Sequence, residues 1–466
     1  MKLYKPIFIF SFSFFPLVVA LLMLLNLGCK KSPTEIDKPP ILPTPPSLEL
    51  SVDGVSCTEA WIKVKKLNDT TFLPISLKIN EKEFFNGFLA ATDTILFVDS
   101  LTPNTTYTVK GIILDTLQTA KELKVTTLPT TSHNFTWQTF EFGDYNPSAL
   151  MDVTIIDENN IWAVGKIYMN DSLGHPDPNA YNAVHWDGSK WDVKRIKTNA
   201  CGGVVFPPIE AIFSFSASDL LFAHIDGSIS KYNGIGFTND CSLITQLNGS
   251  VNKMWGKSNV DFYVVSGNGF IAHYNGVSWQ KLESGTDFYL RDIYGTTSGD
   301  VYSAGLKITD EKGIILRKNP TGQFETMVEG DIVSKEELFH PKLYGSLSSV
   351  WVNENNVLYT GGNLFYQFKN NRWDYVKSLP ENYIGGNPGT YYRGYIGSIR
   401  GNASNDMIIV GDRNTLKHFN GVDWQQLGLP YSASSDISWG RVAIKGNIAV
   451  AVGNEGYKAK IIVLKR

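Results

Sequence analysis

The chain has 466 residues, with 42 Lys+Arg against 45 Asp+Glu for a formal net charge of −3. That balance excludes a nucleic-acid binder, since phosphate recognition needs a basic surface. Charged residues are 19% and aromatics 12%, with 41 Gly and 21 Pro; this composition excludes a helical bundle or a disordered chain and points to an all-β protein.

Lys2 and Lys5 precede an apolar run from Ile7 to Leu27, broken only by Ser11, Ser13, Pro16 and Asn26, which ends at Gly28-Cys29 and is followed by Lys30-Lys31. The pattern resembles the lipobox of bacterial lipoproteins, with Asn26 where that family prefers Leu, Val or Ile. The resemblance implies that residues 1–28 are a signal peptide and that the Cys29 thiol takes a diacylglycerol. The protein would then be lipid-anchored in the bacterial cell envelope, at the outer membrane, facing periplasm or surface. The run is also long enough for an uncleaved transmembrane anchor, and an ordinary signal peptide is a third reading; all three export the remainder. Residues 29–46 carry Pro33, Pro39, Pro40, Pro43, Pro45 and Pro46. Such a segment runs as an extended tether at about 3 Å per residue.

Residues 47–129 alternate as short strands: Leu48-x-Leu50-x-Val52, Trp61 to Val64, Ile75-x-Leu77-x-Ile79, Leu96 to Val98 and Leu123 to Leu128. Leu101-x-Pro103-x-x-x-Tyr107-x-Val109 resembles the tyrosine corner of fibronectin type III domains, in which the phenol bonds back to upstream backbone. Trp61 falls where that family keeps its core Trp. The resemblance implies a small β-sandwich, read here as a spacer.

From Ala149 onward the chain repeats itself. An acidic or amide residue opens a short apolar strand in Asn160–Gly165, Asp219–His224, Asp261–Ser266, Asp300–Gly305, Asn356–Gly361, Asp406–Gly411 and, more loosely, Asn447–Gly453. An apolar strand precedes each copy, as in Met254-Trp255-Gly256 and Ile293-Tyr294-Gly295. A hairpin ending in Trp follows, as in His185–Trp191, His273–Trp279 and His418–Trp424. The Asp-Gly and Asn-Gly pairs in those hairpins supply the positive φ of a tight turn. Four strands in about 40 residues resemble a β-propeller blade. Seven copies therefore imply a seven-bladed β-propeller over residues 133–466, of the loose Kelch-like, Asp-box-like and stability-factor-like kinds. Its last blade has three strands of its own, and Phe135–Phe142, which mimics Trp279-Gln280-Lys281-Leu282, is the expected closing strand. The fold class is all-β: a fibronectin type III sandwich plus a seven-bladed propeller.

Cys57 reads as a small buried residue. Cys201 and Cys241 flank one repeat and suit a disulfide in an oxidising compartment. No Cys-x-x-Cys spacing or Cys/His cluster points to a metal, and no cofactor is expected. His185, His273 and His418 hold equivalent places in different repeats, so they read as structural, as do Trp191, Trp279, Trp373 and Trp424.

The long connections, residues 166–182, 197–208, 329–344 and 379–395, belong to two loop classes that share one propeller face. Loops on a rigid scaffold carry function. The candidate ligand-binding residues are Tyr168, Tyr181, Tyr289, Tyr383, Tyr391, Tyr392 and Arg393, with Phe288, Phe339 and Tyr431 beside them. Aromatics beside Arg suit a sugar face or a protein anchor. The expected function is non-catalytic recognition of a polysaccharide or an envelope or extracellular protein. A propeller glycosidase or polysaccharide lyase is the rival, for which Arg291, Arg400, Arg441, Asp152, Asp292 and Glu210 on innermost strands would supply channel charges. A structural part in an envelope assembly is the third reading.

Overall fold

Runs of β-branched and aromatic residues, separated by Asx-Gly turns, fold almost entirely as short antiparallel strands. A computed structural model describes residues 45–68, 72–198, 201, 205–247, 249–310, 312–330, 343, 345–375, 395–428 and 436–466. Pro46–Arg466 form one compact unit. Cys29 and the tether up to residue 44 lie outside the described residues. Among those residues no helix is long and apolar enough to cross a membrane.

Seven strands come first: β1 (Ser47–Val55), β2 (Ala60–Leu67), β3 (Leu73–Ile79), β4 (Lys82–Leu89), β5 (Asp93–Val98), β6 (Thr106–Ile113) and β7 (Leu123–Thr126). They make two sheets, β1-β2-β5 and β4-β3-β6-β7, around a core that includes Ile62, Val64, Ile75, Leu77, Val109 and Ile113. The Tyr107 hydroxyl accepts the Thr102 N–H at 2.8 Å.

Trp61 departs from its expected place in that core. Ala60, Ile62 and Val64 take the inward positions of β2, and strand period two then turns Trp61 outward. Its indole is buried instead among Trp351, Tyr359, Phe365 and Trp424 and donates to Asn370 Oδ1 at 3.2 Å. Around it Lys369 pairs with Glu59 at 2.7 Å, and Asn355 Nδ2 donates to the Val55 carbonyl at 2.6 Å. Asn405 Nδ2 donates to the Pro129 carbonyl at 2.8 Å. Cys57 is wholly buried at the same junction, and burial, reinforced by Glu354, pushes its thiol up to about 11. Gly421 must be glycine there: its φ is +99°, and a Cβ would meet Cys57 Sγ at 2.2 Å. The sandwich is thus docked on the following sheets through a shared apolar cluster, where a free spacer would have none.

After β8 (Thr136–Phe142), four-stranded antiparallel sheets follow in chain order. Sheet 1 is β9 (Ala149–Asp157), β10 (Asn160–Ile167), β11 (Tyr181–Trp186) and β12 (Trp191–Lys194). Sheet 2 is β13 (Ile209–Ser216), β14 (Asp219–His224), β15 (Ile229–Tyr232) and β16 (Phe237–Asp240). Sheet 3 is β17 (Lys253–Ser258), β18 (Asp261–Val265), β19 (Ile271–Tyr274) and β20 (Trp279–Leu282). Sheet 4 is β21 (Tyr289–Gly295), β22 (Val301–Lys307), β23 (Lys312–Lys318) and β24 (Phe324–Glu329). Sheet 5 is β25 (Leu347–Val352), β26 (Leu358–Gly362), β27 (Phe365–Lys369) and β28 (Arg372–Tyr375). Sheet 6 is β29 (Ile396–Ala403), β30 (Asp406–Gly411), β31 (Thr415–Phe419) and β32 (Trp424–Gln426). Sheet 7 is β33 (Ile437–Lys445), β34 (Ile448–Glu455) and β35 (Lys458–Lys465), completed by β8 in register from Lys465↔Thr136 to Ala459↔Phe142.

The first strands of these sheets touch in a closed ring, β9 to β13, β17, β21, β25, β29, β33 and back to β9. Closure leaves no sheet face unpaired. In four of the sheets a recurrent residue ties the second strand to the third. The Asx that opens the second strand reaches the third: Asn160 Oδ1 to His185 at 2.9 Å, Asp261 to His273 at 2.7 Å, Asp300 to Arg317 at 2.8 Å and Asp406 to His418 at 2.9 Å. His185 also stacks on Trp162 at 4.2 Å and His273 on Tyr263 at 4.4 Å. At the outer hairpins the Asx side chain caps the turn, Asn275 Oδ1 accepting the N–H groups of Val277 and Ser278.

Candidate functional site

Strand pairing puts Asp152, Ala211, Lys253, Asp292, Ser349, Ser398 and Arg441 at one equivalent position of the seven inner strands. Every one is buried. This layer is the floor of the central channel. Lys253 Nζ meets both oxygens of Asp152, at 2.5 and 2.7 Å. Arg400, two residues on from Ser398, grips Asp292 bidentately at 2.8 and 3.0 Å. The carboxylates also accept backbone N–H groups from the inner strand of the following sheet: Ile212 to Asp152 and Val350 to Asp292, each at 3.0 Å. The Ser349 hydroxyl donates to Asp292 at 2.7 Å and accepts the Ile399 N–H. Arg441 spends its guanidinium on the carbonyls of Gly397, Gly440 and Arg291.

Burial alone would raise the Asp292 carboxyl, but the Arg400 charge and hydrogen bonds outweigh it and bring the pKa down to about 2. Burial lowers Lys253 against the opposing pull of Asp152. Buried pairs of this kind are costly to break because the surviving charge is left uncompensated.

Above the floor, toward the C-terminal ends of the inner strands, lies a cavity of about 310 Å³ lined by residues from all seven sheets. Its wall is the next channel-facing position. Phe213, Trp255, Tyr294 and Trp351 occupy it in four consecutive sheets, then Arg400, Ala443 and Thr154. Four of the seven wall positions are therefore aromatic and two polar, and the Thr154 hydroxyl bonds that of Ser214 at 2.6 Å. Each indole needs a glycine beside it: a Cβ at Gly295 would lie 2.2 Å from the Trp255 ring, and one at Gly401 2.7 Å from Trp351. This mouth opens on the face of the short hairpins, where the sandwich is docked through Asn355, Asn370, Asn405 and Gly421.

Of the residues favoured from the sequence, those described lie on the loop-rich face and are occupied within the protein. The Tyr181 ring is covered by the Arg195 guanidinium at 3.9 Å. Arg195 in turn binds Asp177 and holds its carboxyl below the usual range. Tyr168 packs on Tyr145 at 5.5 Å and under the Lys166 ammonium at 4.7 Å. The Tyr289 hydroxyl donates to Asn252 Oδ1 at 2.8 Å, and Phe288 is buried in the core. These contacts pin the long connection between β10 and β11 onto its own sheet. Tyr383, Tyr391, Tyr392, Arg393, Phe339 and Tyr431 lie outside the described residues. Cys201 and Cys241 are joined by a disulfide.

The expected channel charges fall at three levels. Asp152, Asp292 and Arg441 belong to the floor, and Arg400 reaches it from the wall. Arg291 and Glu210 sit one residue before the floor position, and the Arg291 Nε is buried with no partner among the described residues. Burial raises the Glu210 carboxyl against the opposing Arg291 and Arg441 charges, and the same two arginines act on Tyr395, whose hydroxyl burial also raises. Lys253, Tyr395 and the aromatic half-wall are absent from the sequence-derived set. The signal for the wall was the recurrent aromatic-Gly pair of an inner strand, as in Trp255-Gly256 and Tyr294-Gly295; no local pattern marked Lys253 or Tyr395. Among the described residues no group of three or more His, Cys, Asp or Glu is placed to hold a metal.

No protein family and no curated protein matches the sequence. Solved structures do match in fold. A structure of YCF48 bound to a D1 peptide superposes with a TM-score of 0.51 at 14% identity, over 72% of this chain and 99% of that one. YCF48 from Cyanidioschyzon merolae gives 0.47 at 11% identity, over 71% and 98%, and the WD40 β-propeller domain of Doa1 gives 0.46 at 12%, over 71% and 97%. The class of the protein follows from the closed ring of four-stranded sheets and the likeness to the YCF48–peptide structure: it has the β-propeller fold.

Proposed function

We propose that the chain is an exported protein, lipid-anchored through Cys29. A fibronectin type III-like sandwich is docked on a seven-bladed propeller, and the whole recognises a segment of a partner protein without catalysis. The observation that carries this reading is the channel mouth. Every inner strand contributes to a cavity with an aromatic half-wall, while Asp152 and Asp292 beneath it are spent on Lys253, Arg400 and backbone N–H groups. Pockets that bind ligands combine apolar walls with a few fixed polar groups. Protein binding by the solved YCF48 structure, a peptide complex, fits the same use of the fold. The Tyr107 corner and the β1-β2-β5 and β4-β3-β6-β7 order support the sandwich assignment.

Photo-crosslinking in producing cells tests the site. A benzophenone amino acid at Phe215, in the mouth, is expected to give one dominant protein adduct, and the same group at Tyr289 none. Adducts from Tyr289 alone would return the site to the loop-rich face. A hydrolase or lyase reading keeps one observation, the Glu210 carboxyl raised by burial against the charges of Arg291 and Arg441. Electrophoresis through polysaccharide gels separates it. Substrate clearing that Glu210→Gln abolishes would establish an enzyme, and retardation without clearing a polysaccharide binder.

A further inference from the structure

The floor of the mouth presents cations to the cavity and keeps its carboxylates behind them. Asp152 and Asp292 side chains are 1% and 0% exposed, whereas Lys253 and Arg400 retain 10% and 15% and line the cavity. The carboxylates have little acceptor capacity left. Asp152 takes Lys253 twice and the Ile212 N–H. Asp292 takes Arg400 twice, the N–H groups of Ile293 and Val350, and the Ser349 hydroxyl. Lys253 has three N–H donors and spends two on Asp152. Arg400 has five; its Nη1 also serves the Ile399 and Val350 carbonyls and the Ser349 hydroxyl, so that Nε and one Nη2 N–H keep no partner among the described residues. Arg441 lies in the same layer and is bound to carbonyls, so three cations face two carboxylates. The layer carries a surplus positive charge in a water-poor place, where charge interactions are stronger than at an open surface.

Chemistry complementary to this mouth has an anionic group at its tip and apolar surface beside it. A neutral sugar would use the aromatic wall and leave the cations unused. We propose that the cavity captures an acidic side chain, Asp or Glu, of a partner segment, with the carboxylate on Lys253 and Arg400 and adjacent apolar or aromatic residues on the half-buried rings of Phe213, Trp255 and Tyr294. This rests on the channel mouth being the recognition site. At about 310 Å³ the cavity is at the small end of ligand pockets, which suits one anchoring residue and its neighbour and not a long buried segment.

The test is selection of a synthetic hexapeptide library, acetylated and amidated so that every carboxylate is a side chain, on the detergent-solubilised full chain. The expected result is enrichment of Asp or Glu at one position next to an apolar or aromatic residue. A selected peptide should lose at least tenfold in affinity when its acid becomes Gln or Asn. Raising the salt concentration should weaken the acidic peptide and leave its amide partner unchanged, which needs no protein variant. The paired variant Asp292→Asn with Arg400→Gln, which removes one floor cation without leaving its partner charged, should abolish the preference while near-ultraviolet circular dichroism stays native. Enriched peptides without acids, or with equal affinity for acid and amide, would overturn the carboxylate capture and leave peptide recognition standing. No enrichment over a mouth-filled control, Ala443→Trp at a half-buried wall position, would overturn both.

Discussion

The two faces of the ring are made from opposite ends of the same inner strands, yet they solve different problems. On the short-hairpin face the strand ends carry Phe213, Trp255, Tyr294 and Trp351 around an open cavity, and the sheets of β1 to β7 are fixed beside it. On the loop-rich face the described insertion between β10 and β11 is folded back by Arg195, Asp177 and Tyr145, so its aromatics serve the scaffold. Loop length marks where a chain tolerates change. It does not mark where a cavity survives, because a long loop must first satisfy its own polar backbone and bury its own rings.

The largest effect should come from the floor between the faces. Asp292→Ala strips Arg400 of its buried partner and the Val350 N–H of its acceptor. It should destabilise by about 3–5 kcal/mol in chemical denaturation. A change below about 1 kcal/mol would mean the layer is hydrated and the faces are not insulated from one another.

Trp61→Ala should cost a similar amount, about 3–5 kcal/mol. Its signature should be local: faster hydrogen exchange at Asn370 and Gly421 and faster proteolysis between Pro129 and Asn134, with the Ile62–Ile75 core still protected. Loss of protection in that core instead would return Trp61 to the sandwich interior.

Acid should distinguish the faces next. Burial lowers His224 from its ordinary value to about 4. The unfolded chain therefore binds a proton first, and stability is full above pH about 6.5 and lost as pH falls toward 4, by roughly 3 kcal/mol in total. His418 is also lowered, by burial, so it acts in the same direction from the short-hairpin side. His224→Gln should flatten part of the acid slope seen by thermal melts between pH 7 and about 4; an unchanged slope would assign it elsewhere.

Gly295→Ala pushes a methyl into the Trp255 ring and should cost about 1–3 kcal/mol, with a shift in tryptophan fluorescence reporting the mouth. The smallest effect belongs to the loop-rich face. Tyr289→Phe removes one hydroxyl bond to Asn252 and should cost about 1 kcal/mol without altering peptide selection. A change in selection there would undo the contrast between the faces.

Much of the scaffold was legible because it depends on local chemistry repeated along the chain. Asp261-Phe262-Tyr263 and its relatives set the second strand, Asn275-Gly276 sets the outer hairpin, and the likeness of Trp137-Gln138 to Trp279-Gln280 marked β8 as a partner for β35. Each of these needs only neighbours a few residues away, or a copy of the same pattern. The roles of His273 and Trp279 were readable for the same reason: equivalent positions in different sheets face equivalent partners.

What only the tertiary structure decided is which non-equivalent neighbours meet. Strand period two fixes that Trp61 and Ile62 point opposite ways, but not which side faces the sandwich interior and which the sheets beyond. The pairing of Asp152 with Lys253 spans 101 residues, and that of Asp292 with Arg400 spans 108. Sequence alone left those charges as candidates for chemistry. Closure of the ring brought each carboxylate to a cation and to the backbone of the following sheet, and so turned them into a floor. The mouth above it exists because closure also set an aromatic of one sheet over a glycine of the next, a contact that no single repeat contains.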